Sequence, residues 1–175
     1  MMPHEVPSFM RQDFAPFAST LRLMSDSQVN VGAIVCQLSN LTVFTANAQQ
    51  GFSETVLQGH QPFSLQVTVE FAGPGAIALM PLSLAVQVEF YTKPLGPESG
   101  MILGTTAIHT QPDVLTYAPT LALGSPLSVG LKADTIYRVG AVLRVGAPKW
   151  PSLVNGFTEE LTIEIYTSPA QSGKK

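Results

Sequence analysis

Glu70 and Glu89 are the two carboxylates whose spacing most suggests an acid and a base, because they occupy equivalent positions in two similar alternating segments. If Phe71 pairs with Leu82 across a hairpin, the carboxylates lie six residues apart on one face, roughly 20 Å at about 3.3 Å per residue. A glycosidase pair needs about 5 to 9.5 Å. If residues 72–81 instead cross to a second sheet, the two groups face opposite sides. Neither arrangement makes them a catalytic pair.

Side chains for metal binding or nucleophilic catalysis do not come together along the sequence. His4, His60 and His109 show no ligand spacing, and the sequence has no Gly-x-Ser-x-Gly turn and no phosphate-binding loop. Cys36 lies in an apolar stretch without a nearby cation, which indicates a buried side chain and not a nucleophile. We therefore expect a protein that is not an enzyme and that holds no metal or cofactor.

The connecting segments are left as the candidate recognition surface. Residues 147–157 contain the only Trp and are predicted to form a loop between the last two strands. An exposed Trp there could stack on a sugar ring or anchor a protein partner, and it could equally cover the open end of the core. Residues 72–81 are long for a hairpin, which favours a sheet-to-sheet crossing over an exposed contact patch. The candidate binding residues in these segments are Trp150, Phe157, Ile77, Leu79 and Met80.

The N-terminal region follows no clean helical or strand period. We predict an extended arm at 1–30 whose Phe14 and Phe17 dock on this chain's own sandwich, or alternatively on a neighbouring subunit. A β-sandwich domain at 31–167 and a disordered tail at 168–175 complete the predicted organisation. No secretory signal and no apolar run of membrane-spanning length is seen, so a cytoplasmic location is the default expectation.

Charge is sparse in this chain. Charged residues make up 12% of it and the formal net charge is -3, against roughly 25% charged residues in ordinary soluble proteins. No basic stripe is present, which argues against nucleic acid as a partner. Ser, Thr, Gln and Asn fill the polar positions, and together with 14 Pro and 14 Gly they favour short strands joined by turns.

A two-residue period of apolar and polar side chains predicts the strands. It is strongest in 63–71 and 82–91, where every second side chain is apolar. The absence of amphipathic helices between these segments favours an all-β antiparallel two-sheet sandwich, immunoglobulin-like or jelly-roll-like, of 8–9 strands. Further strands are predicted at 33–37, 41–46, 53–58, 102–110, 115–123, 137–145 and 160–167.

Residues 131–141, with the sequence LKADTIYRVGA, resemble the sixth-strand region of fibronectin type III and other immunoglobulin-like domains. The resemblance implies that Tyr137 forms a tyrosine corner, in which the hydroxyl pins a loop to the sandwich. It also implies a last strand at 160–167 with Leu161, Ile163 and Ile165 facing inward. The chain lacks the early Trp and the paired Cys of antibody domains and exceeds their usual length of about 100 residues. The resemblance implies a fold and no function.

These observations predict a soluble structural or protein-interaction module that self-assembles as a homo-oligomer or docks on a protein partner. Few charges make a monomer depend on Ser, Thr and Gln for solubility, and burying part of that surface in an assembly removes the difficulty. The alternative is a carbohydrate-binding sandwich that uses Trp150 as a stacking platform.

Overall fold

The alternation of apolar and polar side chains produces two stacked β-sheets. The structure is a computed structural model and describes residues 27–31, 34–45, 53–147, 149–158 and 160–167. Eleven strands lie within this part of the chain, with a short helix and a 3-10 turn between the fourth and fifth. The elements are β1 Ser27–Val31, β2 Ile34–Thr45, β3 Val56–Gln58, β4 Phe63–Ala72, α1 Ala76–Leu79, the 3-10 turn Met80–Leu82, β5 Ala85–Pro94, β6 Met101–His109, β7 Thr116–Tyr117, β8 Thr120–Leu123, β9 Thr135–Ala147, β10 Trp150–Phe157 and β11 Leu161–Tyr166.

The strand order is that of an immunoglobulin-like sandwich. Sheet A has the order β1-β2-β4, after which β4 pairs with both β7 and β8; sheet B has the order β3-β11-β9-β5-β6, with β10 also on β9. In immunoglobulin-like domains strands A, B and E share one sheet and C, F and G the other. Here β2, β4 and β8 take the first set of positions, and β5, β9 and β11 take the second. The predicted all-β sandwich is confirmed, with one parallel pair, β3 with β11, among the antiparallel ones.

The core lies between the two sheets and is built from every second residue of the long strands. In β4 the inward side chains Phe63 and Phe71 are 2% and 4% exposed, and Leu65, Val67 and Val69 are fully buried. Inward residues of β5 and β9 face them from sheet B and are equally buried. Burial of each such side chain contributes roughly 1.5 to 3 kcal/mol, so this alternation is the main source of stability.

The tyrosine corner implied by the resemblance is present. Tyr137 is 4% exposed, and its hydroxyl accepts a hydrogen bond of 2.8 Å from the backbone N–H of Lys132. Leu131 is buried beside it, and in β11 Ile163 and Ile165 are buried while Leu161 is half-buried against the core. The inward orientation predicted for the last strand is thereby confirmed.

The prediction of a loop at 147–157 is wrong, because β10 occupies 150–157 and pairs antiparallel with β9. Pro151 and the Asn155-Gly156 pair interrupt the alternation and favoured a loop. The strand tolerates Pro151 because the register between β9 and β10 shifts between Trp150 and Val154, where a bulge releases the backbone from regular pairing. Trp150 therefore opens a strand and does not lie within a loop.

The strand predicted at 82–91 begins three residues later, at Ala85. Pro81 is the second residue of the 3-10 turn, and Ser83 adopts the left-handed conformation with φ of 53°. The apolar alternation continues through this turn although the backbone does not, so Leu82 ends up 61% exposed while Leu84 is 9% exposed. Local sequence could not distinguish the turn from the strand.

The remaining differences concern the lengths of the predicted segments. The strands predicted at 33–37 and 41–46 are one strand, β2, with an irregularity between Ser39 and Thr42 where Asn40 has a positive φ. The strand predicted at 115–123 is divided into β7 and β8 because Pro119 cannot donate to a ladder. The strand predicted at 53–58 is reduced to β3. The last four residues of the predicted arm are paired as part of β1, and the rest of the arm lies outside the described residues.

Candidate docking surface

One end of the sandwich collects the connecting segments that the sequence singled out. The β4–β5 connection (residues 73–84), the β6–β7 loop (110–115) and the turn between β9 and β10 meet there, since Ala85 pairs with both His109 and Gly146. Trp150 lies at the same end, because its backbone pairs with Ala147. We call this region the crossover end.

The β4–β5 connection crosses from sheet A to sheet B, as the sequence predicted. Ala76 and Met80 are fully buried and anchor it to the core. The Thr110 hydroxyl donates a hydrogen bond of 2.9 Å to the carbonyl of Met80 and accepts one of 2.8 Å from the N–H of Leu84. The Thr110 N–H donates to the Leu84 carbonyl at 2.9 Å. The connection is therefore fixed by buried hydrogen bonds that also join it to the β6–β7 loop.

A second tyrosine holds the β6–β7 loop. The Tyr117 hydroxyl accepts a hydrogen bond of 2.9 Å from the N–H of Gln111 and donates one of 2.7 Å to the carbonyl of Val114. The ring packs edge-on against Phe71, with centroids 5.9 Å apart at an interplanar angle of 80°. The loops at the crossover end are thus held in place by contacts with the core of the sandwich.

Two aliphatic side chains project from this fixed connection into solvent. Ile77 and Leu82 are each 61% exposed. No charged residue occurs from 71 to 88, while the neighbouring segments contribute Asp113 and Lys149. At the crossover end, the β4–β5 connection therefore presents an aliphatic surface without charged residues, and the neighbouring loop and turn add one acid, Asp113, and one base, Lys149.

The other candidate binding residues differ in position. Leu79 is half-buried. Met80 is fully buried, so the prediction that Met80 contacts a partner is wrong. Met80 points inward because it follows α1 directly and closes the core beneath the connection. The Trp150 side chain lies outside the described part of the structure, as do Phe14 and Phe17. Sequence reasoning missed Leu82, because its place in the alternating pattern indicated the core.

Phe157 is 66% exposed but lies away from the crossover end, on the outer face of sheet B opposite Val142. Val142 is five residues from Ala147, so Phe157 stands roughly 16 Å along the strand from the β9–β10 turn. Trp150 and Phe157 therefore do not form one site.

The charged residues of the strands lie almost entirely in sheet B. Glu70 is the only charged residue in the described strands of sheet A. On the outer face of sheet B, Arg144 lies 3.7 Å from Glu89, and Arg138 lies 3.7 Å from Glu160. Glu70 and Glu89 occupy different sheets, so the sheet-crossing alternative for these carboxylates is correct and they face opposite sides.

The His, Cys, Asp and Glu side chains of the described residues are dispersed over the fold. No group of three or more His, Cys, Asp or Glu residues that could hold a metal ion occurs among them. Cys36 is 2% exposed, as predicted, and burial raises the pKa of its thiol from 9.0 to about 12. Its thiol is therefore protonated at neutral pH. No helix in the described residues has the length and apolar character needed to cross a membrane.

Strand order and the Tyr137 corner together show that the fold is an immunoglobulin-like β-sandwich. No protein family model and no curated protein matches the sequence. Among solved structures, the chain is similar to an immunoglobulin-like protein from Pseudomonas aeruginosa, with 12% sequence identity and a TM-score of 0.35, over 81% of this chain and 98% of that chain.

Proposed function

We propose that this chain is a non-enzymatic structural or protein-interaction module that docks through the crossover end, onto a second copy of itself or onto another protein. The observation that carries the proposal is the exposure of Ile77 and Leu82 on a connection without charges. Single exposed aliphatic side chains are common, but these two share one fixed segment and are not surrounded by its own charges.

The energetics of the crossover end suit docking. Removing from water the part of each side chain that is still exposed, 61%, contributes roughly 1 to 2 kcal/mol. The Thr110 and Tyr117 hydrogen bonds hold the surrounding backbone before any partner arrives, so little conformational entropy is lost on binding. For a fixed aliphatic surface, little of the favourable free energy of burial is offset by the cost of ordering the surface on binding.

The test is a double substitution, Ile77→Ser with Leu82→Ser, followed by light scattering over a concentration series. Both side chains are mostly solvent-exposed, so we expect the variant to stay folded and to lose association. When the native chain and the double variant are each immobilised, they should retain different partners from an extract of the native source.

The matched control is Val56→Ser with Leu95→Ser at the opposite end of the sandwich. These side chains are 52% and 51% exposed, so the control removes a similar aliphatic area from another place. Association that survives the first double substitution, or that is lost equally in the control, would contradict docking at the crossover end.

Carbohydrate binding is the second candidate, and the position of Trp150 favours it. Its backbone opens β10 and pairs with Ala147 at the crossover end, the same end as the exposed Ile77 and Leu82, and aromatic side chains suit stacking on sugar rings. A glycan array probed with the native chain and with Trp150→Ala tests this candidate. Binding that disappears in the variant supports it, and identical arrays for the two proteins remove it.

A further inference from the structure

We propose that β6 is a pairing edge, on which β6 of a second copy of this chain docks antiparallel and extends sheet B across a twofold axis. The proposal rests on the self-assembly part of the proposed function, but it places the contact on a different surface. The proposed contact involves the edge strand β6 and does not involve the crossover end.

Among the residues that the structure describes, β6 is hydrogen-bonded on one side only. Eight of its nine residues pair with β5, and no other described strand joins them. The backbone hydrogen bonds that the loops make within the described residues do not involve 101–109 either. In an antiparallel ladder every second residue directs its N–H and C=O to the other side, so β6 carries a row of unpaired groups that another strand can meet.

The usual protections of an edge strand are nearly absent from β6. Residues 99–112 contain no charged residue, and 101–109 contain no Pro. One irregularity is present, because Phe90 pairs with Gly104 and Tyr91 with Ile102, which leaves Leu103 as an extra residue. This bulge confines the regular stretch to 104–109, long enough for about five cross-strand pairs.

The sandwich is also incompletely closed beside β6. Ile108 and Leu103 of β6, and Leu121 of β8 in the facing sheet, are only half-buried although they pack against the core. Inward residues of the neighbouring strand β5, such as Val86 and Val88, are fully buried. An added strand would cover this open side.

A second copy of β6 fits the edge better than a charged segment would. A twofold axis at Thr106 places Gly104 opposite Ile108 of the other copy, so a residue without a side chain meets a large one. Thr105 and Ala107, both exposed, then face each other across the junction on the outer side. With no charge on either strand, the contact involves no local repulsion in a chain whose net charge is -3.

The first test is Ala107→Lys, compared with Ala122→Lys on β8. Both alanines are exposed on edge strands, one in each sheet, so the two variants differ only in which edge carries the charge. In sedimentation velocity from micromolar to millimolar concentration, we expect the native chain and Ala122→Lys to form dimers. Ala107→Lys should remain monomeric at the highest concentration.

Hydrogen exchange locates the contact independently. Backbone amides of 104–109 that face away from β5 should gain at least tenfold protection when the native chain is concentrated, and Ala107→Lys should show no gain. A second readout is disulfide formation in a mixture of Thr105→Cys and Ala107→Cys chains, because Cys36 is buried and does not compete. The corresponding mixture of Thr120→Cys and Ala122→Cys should not cross-link.

Three results would overturn the proposal. The native chain could be monomeric throughout the range, or the dimer could persist unchanged in Ala107→Lys, or the β6 amides could be protected at every concentration because another segment of the same chain covers them. A dimer that is unaffected by Ala107→Lys but dissociates in Ile77→Ser with Leu82→Ser would contradict pairing through β6. It would still support the proposed docking at the crossover end.

Discussion

Two buried tyrosine hydroxyls fix the loops at opposite ends of the sandwich. Tyr137 holds the N–H of Lys132 just before β9, and Tyr117 holds Gln111 and Val114 in the β6–β7 loop. In both cases the ring packs in the core and only the oxygen reaches the loop backbone. The sequence pointed to the first, because its Leu, Thr and Tyr spacing resembles that of related sandwiches, but it contained no comparable indication of the second.

We expect Tyr137→Phe to lower the free energy of unfolding by about 1 to 2 kcal/mol, because the ring still packs while the Lys132 N–H loses its partner. Urea unfolding monitored by far-UV circular dichroism measures the change. Tyr166→Phe is the control, since Tyr166 is 39% exposed and its hydroxyl makes no hydrogen bond in the described residues. Equal effects of the two substitutions would show that the corner contributes nothing.

The raised thiol pKa of Cys36 predicts that the folded protein loses stability at alkaline pH. Its thiol pKa is raised in the folded state, so the folded protein holds the proton more tightly than the unfolded chain does. The free energy of unfolding is therefore unaffected by Cys36 ionisation below pH 9.0. It falls as the pH rises from 9.0 to about 12, by at most roughly 4 kcal/mol. Tyr91, whose pKa is raised by burial and by Glu160, acts in the same direction.

The measurement is urea unfolding of the native chain and of Cys36→Val below pH 9.0 and towards pH 12. The variant lacks the thiol and should lose distinctly less stability over this interval. Parallel curves for the two proteins would mean that Cys36 is not the group responsible.

At the scale of elements, a contact between strands β5 and β9 stands out on the outer face of sheet B. The ring end of Tyr91 lies over Gly140, in the space that a Cβ at that position would occupy. An aromatic side chain laid over a strand glycine shields backbone that a larger residue would cover itself. Only the pairing register brings these two residues together, so the sequence could not predict the contact.

We expect Gly140→Ala to destabilise the native chain by about 1 to 2 kcal/mol, because Tyr91 must leave its place. In a Tyr91→Ala background the same change should be close to neutral or slightly stabilising, since alanine loses less backbone entropy than glycine. A double-mutant cycle from urea unfolding gives the coupling, expected at about 1 kcal/mol. An identical cost in both backgrounds would contradict the contact.

For the strands themselves, local sequence was sufficient where alternation coincided with regular backbone. It located β4 and most of β5, β9 and β11, because a half-buried strand must alternate. It failed at β10, where proline and glycine indicated a loop, and at Leu82, where alternation ran through a 3-10 turn. Bulges and left-handed residues depend on partners distant in sequence, so neither the register nor the crossover end could be read from the chain alone.

At the scale of the whole molecule, the proposed contacts would depend on burial and backbone pairing, because neither 71–88 nor 99–112 contains a charged residue. We therefore expect dimerisation to be unweakened between about 0.1 and 1 M NaCl, where surface ion pairs are progressively screened. Sedimentation velocity at the two salt concentrations tests this. Clear dissociation at high salt would indicate that the Arg and Glu residues of sheet B provide the contact instead.

The outer face of sheet A has a practical consequence for anyone who engineers this chain. On β4 its side chains are polar and mostly neutral, with Ser64, Gln66 and Thr68 beside the acid Glu70. Glutamate or aspartate introduced there would raise colloidal solubility without touching either the crossover end or β6. We expect a dye or a tether attached at these β4 positions to leave the proposed contacts at the crossover end and at β6 undisturbed.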